Sequence, residues 1–501
     1  MTGPTTTRST LSGPRAGSKG SAGAVPDAVR RARAAARSWS REAPEDRARH
    51  LLAARRALLD RMDDIVDAMV ADTGKLRAEA VVNEVLVACE QITWDAKHGP
   101  RLLAARRVAP GILVHKRAER RLEPLGVVAV ISPWNYPLVL SLGPISAALV
   151  AGNTVVLKPS EYTPTVGVRI GELFAGLGAH EDIVQVVTGA GDTGRELVRA
   201  EVDKVCFTGS VPTGTAVMQA AAERRTPVVL ELGGKDPMIV CPDADLDRAA
   251  AAAVWGAYTN CGQTCIGTER VYVIEEVHDR FVEKVLGLTA RLHQEPGGDV
   301  GAMIHEAQVA LSEDHVADAL AKGARLAAGG KRCDVGGRPA FEPTVLLGVD
   351  HTMTAMRDET FGPLLPIMAV KHVDEALALA NDSPFGLGAS VFAKDEQVIE
   401  RLVDGLEAGS VWVNDVMVGF AVPGLAFGGT KASGTGVTHG EEGIREFTRV
   451  KAVVRDRAGL RREPMWLPLP RRLEAMTRTA MRLRYRLRHR SRPPRRKDPA
   501  S

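Results

Sequence analysis

The sequence predicts an α/β protein built on a doubly wound parallel sheet, followed by a second α/β body. Three observations carry that expectation. Residues 126–157 hold no charged side chain, yet Pro133, Asn135, Pro137, Pro144 and Asn153 divide them into strand 127–131, helix 138–150 and strand 154–157. Short apolar runs at 205–207 and 228–230 continue the alternation of strand and helix. Past Asp245 the alternation resumes, with helix 246–258, strand 270–274, helix 278–292 and, much later, strand 410–413.

The elements follow in order. Residues 1–24 are rich in Thr, Ser and Gly, lack an apolar run and read as a disordered leader rather than a signal peptide. Helical patterns dominate from Pro26 to about residue 105. Pro44-Glu45-Asp46 opens a long amphipathic helix through Ala71, Asp72-Thr73-Gly74-Lys75 stops it, and another begins at Ala78. Residues 108–125 read as a hairpin around Gly111, and 450–455 as a late strand. The charge-free run is no membrane helix, because its prolines and asparagines leave no unbroken apolar span of about 18 residues. No internal repeat is visible.

Composition narrows the class. A chain of 501 residues with 45% apolar and 25% charged side chains has room for two or three ordinary globular domains. Cys89, Cys206, Cys241, Cys261, Cys265 and Cys333 show no framework spacing and read as reduced thiols of a cytoplasmic protein. Cys261 and Cys265 lack a second Cys/His pair at ligand spacing, so no metal is expected. The net charge of +4 hides an asymmetry. Residues 461–501 carry 14 Lys/Arg against three acids, a balance of +11, which leaves the remainder near −7. Basic character therefore belongs to the tail and implies no nucleic-acid partner for the body.

Chemistry gathers between Glu231 and Cys265. Glu231-Leu232-Gly-Gly-Lys235 and Asn260-Cys-Gly-Gln-Thr-Cys265-Ile-Gly267 bracket a carboxylate and a thiol 34 residues apart, a candidate base and nucleophile. A lone cysteine is more often a small buried apolar residue, so the pair alone decides little. Gly189-Ala-Gly191-Asp-Thr-Gly194 has dinucleotide-fingerprint spacing but no ribose-binding acid about 20 residues later, and reads as a turn. Phe207-Thr-Gly209-Ser210-Val-Pro-Thr-Gly214 is the better anion site, since it leaves a strand and enters a helix. Lys158-Pro-Ser-Glu161 stands at a strand's carboxyl end, where open α/β sheets take ligands.

Glu-Leu-Gly-Gly-Lys together with Gly-Gln-Thr-Cys resembles the double signature of the aldehyde dehydrogenase superfamily, and the likeness runs from about Ala28 to Lys451. It implies a Rossmann-like cofactor domain (25–105 and 126–236), an α/β catalytic domain (237–446) and a small β oligomerisation element (106–125 and 447–456), with 457–501 as a basic tail. It also implies NAD, with NADP the alternative. Gly209, Ser210 and Gly214 would hold the pyrophosphate, and Lys158 and Glu161 the adenosine ribose. Pro133-Trp134-Asn135-Tyr-Pro137 and Leu232 would border the cofactor. Asp358-Glu359-Thr-Phe361-Gly-Pro363 would put Glu359 on the nicotinamide ribose and Phe361 beside the ring.

By the same resemblance Cys265 attacks an aldehyde, and the Asn135 side chain with the Cys265 N–H holds the oxyanion. After hydride transfer to NAD, Glu231 activates water against the thioester, and a carboxylic acid leaves. A partly desolvated carboxylate at Glu161 disfavours a 2′-phosphate, hence NAD over NADP. Two positions depart from common patterns. Val437 replaces an Arg of the late glycine-rich loop, which bears on packing. Thr259 stands where succinate-semialdehyde enzymes carry an Arg, which points to an uncharged aliphatic or aromatic aldehyde. Homodimers or homotetramers are expected.

Two rivals remain at this point: a non-enzymatic binding protein on the same scaffold, and an NADP-dependent semialdehyde enzyme. Joint retention of Cys265, Glu231, Asn135, Lys158 and Glu359 opposes the first. The tail adds one more expectation. Leu473, Met476, Ala480, Leu483 and Leu487 fall on one helical stripe flanked by Arg, with Pro493-Pro494 ending it. Such a helix can lie on an anionic membrane, at the inner surface for a cytoplasmic protein.

Overall fold

The computed structural model describes residues 23–176, 178–463 and 465–488. The expected leader and the Pro493-Pro494 stop lie outside them, apart from Gly23 and Ala24. The chain forms two compact units. One joins the described residues up to Ala104 with Leu122–Lys451. The other joins Ala105–Arg121 with the described residues from Ala452 onward.

The first unit begins with a helical layer. The single helix expected over 44–71 is two, Pro44–Asp60 and Met62–Thr73, because Arg61 leaves helical geometry (φ −113°, ψ 19°). Asp63 and Asp64 in the new first turn favour that restart, as acids do at a helix N-terminus. Gly74 at φ +75° ends the second helix as its sequence suggests. Helical structure then runs from Arg77 to Leu103 through a π-helical segment, Ala80–Leu86. Glu84 in that segment is fully buried. Its carboxylate accepts from the backbone of Leu138 (2.8 Å) and pairs with the Lys75 ammonium.

Two sheets follow in the same unit. The first is ordered Gly434–Thr435, Val228–Glu231, Lys204–Thr208, Val127–Ile131, Thr154–Lys158, Val184–Val186, parallel except for the short Gly434–Thr435 edge. The chain winds outward in both directions from Val127–Ile131, as a doubly wound sheet does. The charge-free run supplies Val127–Ile131, helix Val139–Val150 and Thr154–Lys158, and both strands are buried throughout. That burial is why the sequence reads as continuous apolar runs rather than alternation.

The second sheet has seven strands, ordered Arg325–Ala328, Thr344–Leu347, Leu364–Val370, Thr268–Ile274, Asp236–Val240, Gly388–Phe392, Ser410–Val413. Only its Arg325–Ala328 edge is antiparallel. The expected helix over 246–258 is present as Leu246–Tyr258, and that over 278–292 is Glu275–Thr289. Val437 packs against the loop at Gly428, where an added Cβ would stand 3.0 Å from its methyl.

The second unit holds the expected hairpin, with Arg106 opposite Arg120 and Val108 opposite Ala118. Its long strand, Lys116–Pro124, neighbours Thr448–Asp456 in a three-stranded sheet. Lys116 donates to Asp456 (2.8 Å), and the His115 ring lies 2.9 Å from Glu463. Helix Leu473–Arg488 follows, with Met476 and Leu483 exposed on its apolar stripe. The Leu487 side chain lies outside what is described. No helix among the described residues is long and apolar enough to cross a membrane, and all six cysteines are free thiols.

Candidate active site

The first unit's two sheets are linked in sequence by the turn Leu232–Lys235. Glu231 is the last residue of strand Val228–Glu231, and Asp236 the first of strand Asp236–Val240. The two glycines of the turn admit close neighbours of different kinds. A Cβ at Gly233 would stand 2.3 Å from a Glu359 carboxylate oxygen, and one at Gly234 would stand 2.3 Å from the Cys265 carbonyl. The Gly234 N–H instead donates to Glu359 (3.0 Å). Lys235 is buried against Glu269 (2.6 Å), which also accepts from the N–H groups of Thr360 (2.8 Å) and Phe361 (2.9 Å). One buried pair thus binds the Glu231 and Glu359 segments together.

Cys265 follows three consecutive left-handed residues, Asn260 (φ +50°), Cys261 (+55°) and Gly262 (+71°). Such backbone is costly and persists only when surroundings over-determine it. Here Glu79 accepts from Asn260 N (2.6 Å) and Thr259 Oγ1 (3.1 Å), and Gln263 bridges to Asn260 O and Ile304 N. At Gly262 a Cβ would stand 2.2 Å from the Gly362 carbonyl. The loop therefore fits against Gly362 only with glycine there, and leaves Cys265 half-buried.

Asn135 is stitched to this loop. Its side-chain amide donates to Gln263 O (3.0 Å), its backbone carbonyl accepts from Lys75 (2.8 Å) and Asn260 (3.1 Å), and Tyr136 lies 2.8 Å from the Thr264 hydroxyl. Trp134, Asn135, Glu231, Leu232, Cys265, Glu359, Phe361, Gly209 and Ser210 all line one cavity of about 310 Å³. Residues distant in sequence thus share a single site. Phe361 packs edge-on to Trp134, with ring centroids 5.3 Å apart.

Burial sets the electrostatics. Both Glu231 oxygens are buried without a partner among the described residues, and desolvation raises its pKa well above the usual carboxylate value. The Glu359 carboxyl is pushed up to about 8, by burial first and then by Glu269. Burial also raises the Cys265 thiol, reinforced by the like charges of Asp236, Glu359 and Glu231. Unassisted, this thiol resists ionisation.

A larger crevice of about 820 Å³ opens at the carboxyl ends of Val127–Ile131 and Lys204–Thr208, where the strand order reverses. Lys158, Glu161, Gly209, Ser210 and Trp134 line it, and helix Val211–Ala222 starts there with Ser210 as its cap. A dinucleotide fits this combination of switch point, helix N-terminus and buried lysine. Gly214 is placed differently from its expected role. It packs inward, where a Cβ would stand 2.4 Å from Leu232, and it is absent from the crevice lining. Glu161 pairs with Lys158 (3.3 Å) but its side chain is 45% exposed, so it is less desolvated than its sequence context suggests.

Sequence reasoning missed two groups. Gly191, Gly194, Arg195 and Arg199 line the crevice from helix Gly191–Arg199, so the fingerprint-like run is more than a turn. Its glycine spacing was the available signal. The other group is His439 with Phe420 and Phe427, around a smaller cavity that also touches Glu231 and Cys265. Nothing in their spacing marks them.

Known proteins agree with this geometry. The aldehyde dehydrogenase family model matches residues 6–453. The chain is 43% identical over 442 residues to 4,4'-diapolycopene aldehyde oxidase of a Methylomonas species, covering 87% of this chain and 83% of that one. It is 39% identical over 400 residues to the NADP-dependent succinate-semialdehyde dehydrogenase of Escherichia coli, covering 79% and 82%. A betaine aldehyde dehydrogenase from Staphylococcus aureus, solved with NAD+, superposes with a TM-score of 0.83 at 31% identity, over 88% and 91% of the two chains. A parallel-sheet crevice suited to a dinucleotide, opening toward a thiol and a carboxylate, is thus set in a matching fold over nearly the whole chain: it belongs to the aldehyde dehydrogenase family and is an NAD(P)-dependent oxidoreductase that converts an aldehyde to a carboxylic acid.

Proposed function

We propose that Cys265 is the nucleophile, Glu231 the general base of hydrolysis, and Asn135 with the Cys265 N–H the oxyanion donors. The observation that carries this is the shared cavity: thiol, unpartnered carboxylate and amide line one wall-to-wall space. The Cys265 thiolate adds to the aldehyde carbon, forming a C–S bond and an oxyanion. Asn135 spends one amide hydrogen on Gln263 and keeps the other for that oxyanion. When bound, the nicotinamide cofactor accepts the hydride that turns the thiohemiacetal into a thioester. Glu231 then takes a proton from water, the hydroxyl oxygen attacks the carbonyl, and the C–S bond breaks to release the acid. Lys158, Glu161, Gly209 and Ser210 hold the cofactor's adenosine and diphosphate half, with Trp134, Leu232, Glu359 and Phe361 nearer its ring. Gly214 supports Leu232 from below.

Cys265→Ala tests the assignment. Aldehyde oxidation disappears and intact-mass analysis finds no acyl adduct, while cofactor binding persists; turnover by this variant refutes it. Glu231→Gln stalls after acylation, with steady turnover lower by about 10².

The substrate is an uncharged, apolar aldehyde. The cavity that joins Cys265, Asn135 and Glu231 is bordered by Leu140, Leu232 and Phe361, with no lysine or arginine among the described residues that line it. Thr259 is occupied by Glu79. A relative named 4,4'-diapolycopene aldehyde oxidase fits the same preference. NAD is the preferred cofactor through Glu161. The chain acts in the cytoplasm as a homodimer or homotetramer, paired through strand Thr448–Asp456, whose Val450 and Val454 are exposed at a sheet edge. Helix Leu473–Arg488, with exposed Trp466 and Leu467 before it, rests on anionic membrane.

A further inference from the structure

We propose that His439 makes the second polar contact to the water that hydrolyses the Cys265 thioester, sharing that water with Glu231. The inference rests on the assignment of Cys265 and Glu231 above.

Four observations converge. His439 and Glu231 line the same small cavity beside Cys265, which is otherwise walled mainly by carbon. That cavity leaves about 20 Å³ for a water's centre, enough for one molecule. His439 Nδ1 and both Glu231 oxygens are buried without a partner among the described residues, whereas the Thr438 hydroxyl on the same wall already donates to Phe427 O (3.4 Å). Finally, His439 is held at φ +59° and ψ 167°, a region that is essentially glycine-only. Buried orphaned polar atoms and disallowed backbone are both costly, and proteins keep such costs mostly where they serve a site. The ring is fixed from outside by Phe420, 4.7 Å away between centroids.

The chemistry requires such a group. Glu231 removes one proton from the attacking water, and the other O–H must find an acceptor or go unsatisfied in an apolar cavity. Burial lowers the His439 pKa to about 4, so the ring is neutral at pH 7 and one nitrogen can accept. In the step itself the water proton passes to the Glu231 carboxylate, the new O–C bond forms, and the C–S bond breaks to give the Cys265 thiolate and the acid. His439 aligns the oxygen and neither gains nor loses a proton.

The test needs no cofactor. p-Nitrophenyl acetate acylates Cys265 and expels p-nitrophenolate, so the burst reports acylation and the later linear phase reports hydrolysis. Two variants separate strain from contact: His439→Gly relieves the backbone and removes the acceptor, and His439→Asn keeps the strain of the native side chain and restores an acceptor. The expected result is a full burst in both. The linear rate should fall at least about tenfold in His439→Gly and recover to within about threefold of wild type in His439→Asn. After excess ester is removed, intact-mass analysis should find the acetyl adduct decaying at least about tenfold more slowly in the glycine variant than in wild type. An unchanged linear rate in His439→Gly, an equal fall of burst and linear phases, or an Asn variant as slow as Gly overturns the water contact. A burst surviving in Cys265→Ala overturns the nucleophile assignment and this inference with it, so the two failures are told apart.

Discussion

Gly234 lies directly beneath the Cys265 carbonyl: a Cβ at position 234 would stand 2.3 Å from that oxygen and 2.8 Å from Asp236 Oδ1. Gly234 is therefore a seat for the backbone of Cys265 itself. Gly234→Ala must lift Cys265 by a sizeable fraction of an ångström or displace the Asp236 side chain. Misplacement of about 1 Å costs roughly 10² in rate. We expect the burst rate with p-nitrophenyl acetate to fall by about that factor while cofactor binding changes little. A normal burst rate shows that the loop yields freely.

The pH dependence follows from burial. Acylation needs the thiolate and hydrolysis needs the carboxylate, and burial raises both pKa values, so turnover climbs from neutral into alkaline pH. Asp236, Glu359 and Glu231 face the thiol with the same sign as the thiolate and raise its pKa further. Stability has the opposite slope. The folded Glu231 pKa lies above the unfolded value, so its neutral form favours the fold: that contribution is full below about pH 4.5 and is lost as pH rises through the folded value. Melting temperature against pH should decline less for Glu231→Gln than for wild type on the alkaline side. Parallel curves refute this.

Cofactor choice turns on an exposed acid. Glu161 is 45% exposed and paired with Lys158 at 3.3 Å, so water screens its repulsion of a 2′-phosphate to about 1 kcal/mol at contact distance. We expect kcat/KM to favour NAD over NADP by roughly fivefold to tenfold, and Glu161→Gln to bring the two within about threefold. Wild-type kinetics that favour NADP contradict the assignment.

The tail is tested by sedimentation with vesicles. Each Arg near an anionic surface contributes about 1 kcal/mol, screened by salt, and Met476 and Leu483 add burial. The intact chain should pellet with anionic vesicles at low salt, release as salt rises and ignore neutral vesicles. Removing residues 461–501 should free it and leave turnover of a small aldehyde unchanged. Dissociation of the oligomer on truncation would place the stripe against another subunit instead.

The doubly wound sheet was legible because its strands are buried on both faces, so Val127–Ile131 and Thr154–Lys158 write burial straight into composition. The Glu231 and Cys265 segments were legible because each packs small residues around one reactive group. What escaped notice depends on distant neighbours. The break at Arg61 reflects competition between two helix starts that periodicity alone does not register. Gly214 has the spacing of a phosphate loop but spends it on Leu232. The run Gly189–Gly194 has the right glycines without the usual acid, and only the crevice lining reveals its use. His439 gained its position from a loop that closes over Glu231 from more than 200 residues away in sequence.

The left-handed run Asn260–Gly262 carries a consequence for how the molecule is made. Its supports come from both sides in sequence: Glu79 far upstream, and Gly362 nearly a hundred residues downstream. As the chain is synthesised, Cys265 emerges well before the Gly362 carbonyl that its loop must rest against. The thiol is therefore built early and positioned late. An amino-terminal fragment ending before Gly362 lacks the surface on which this turn rests, so the loop that places Cys265 is completed only when that segment arrives.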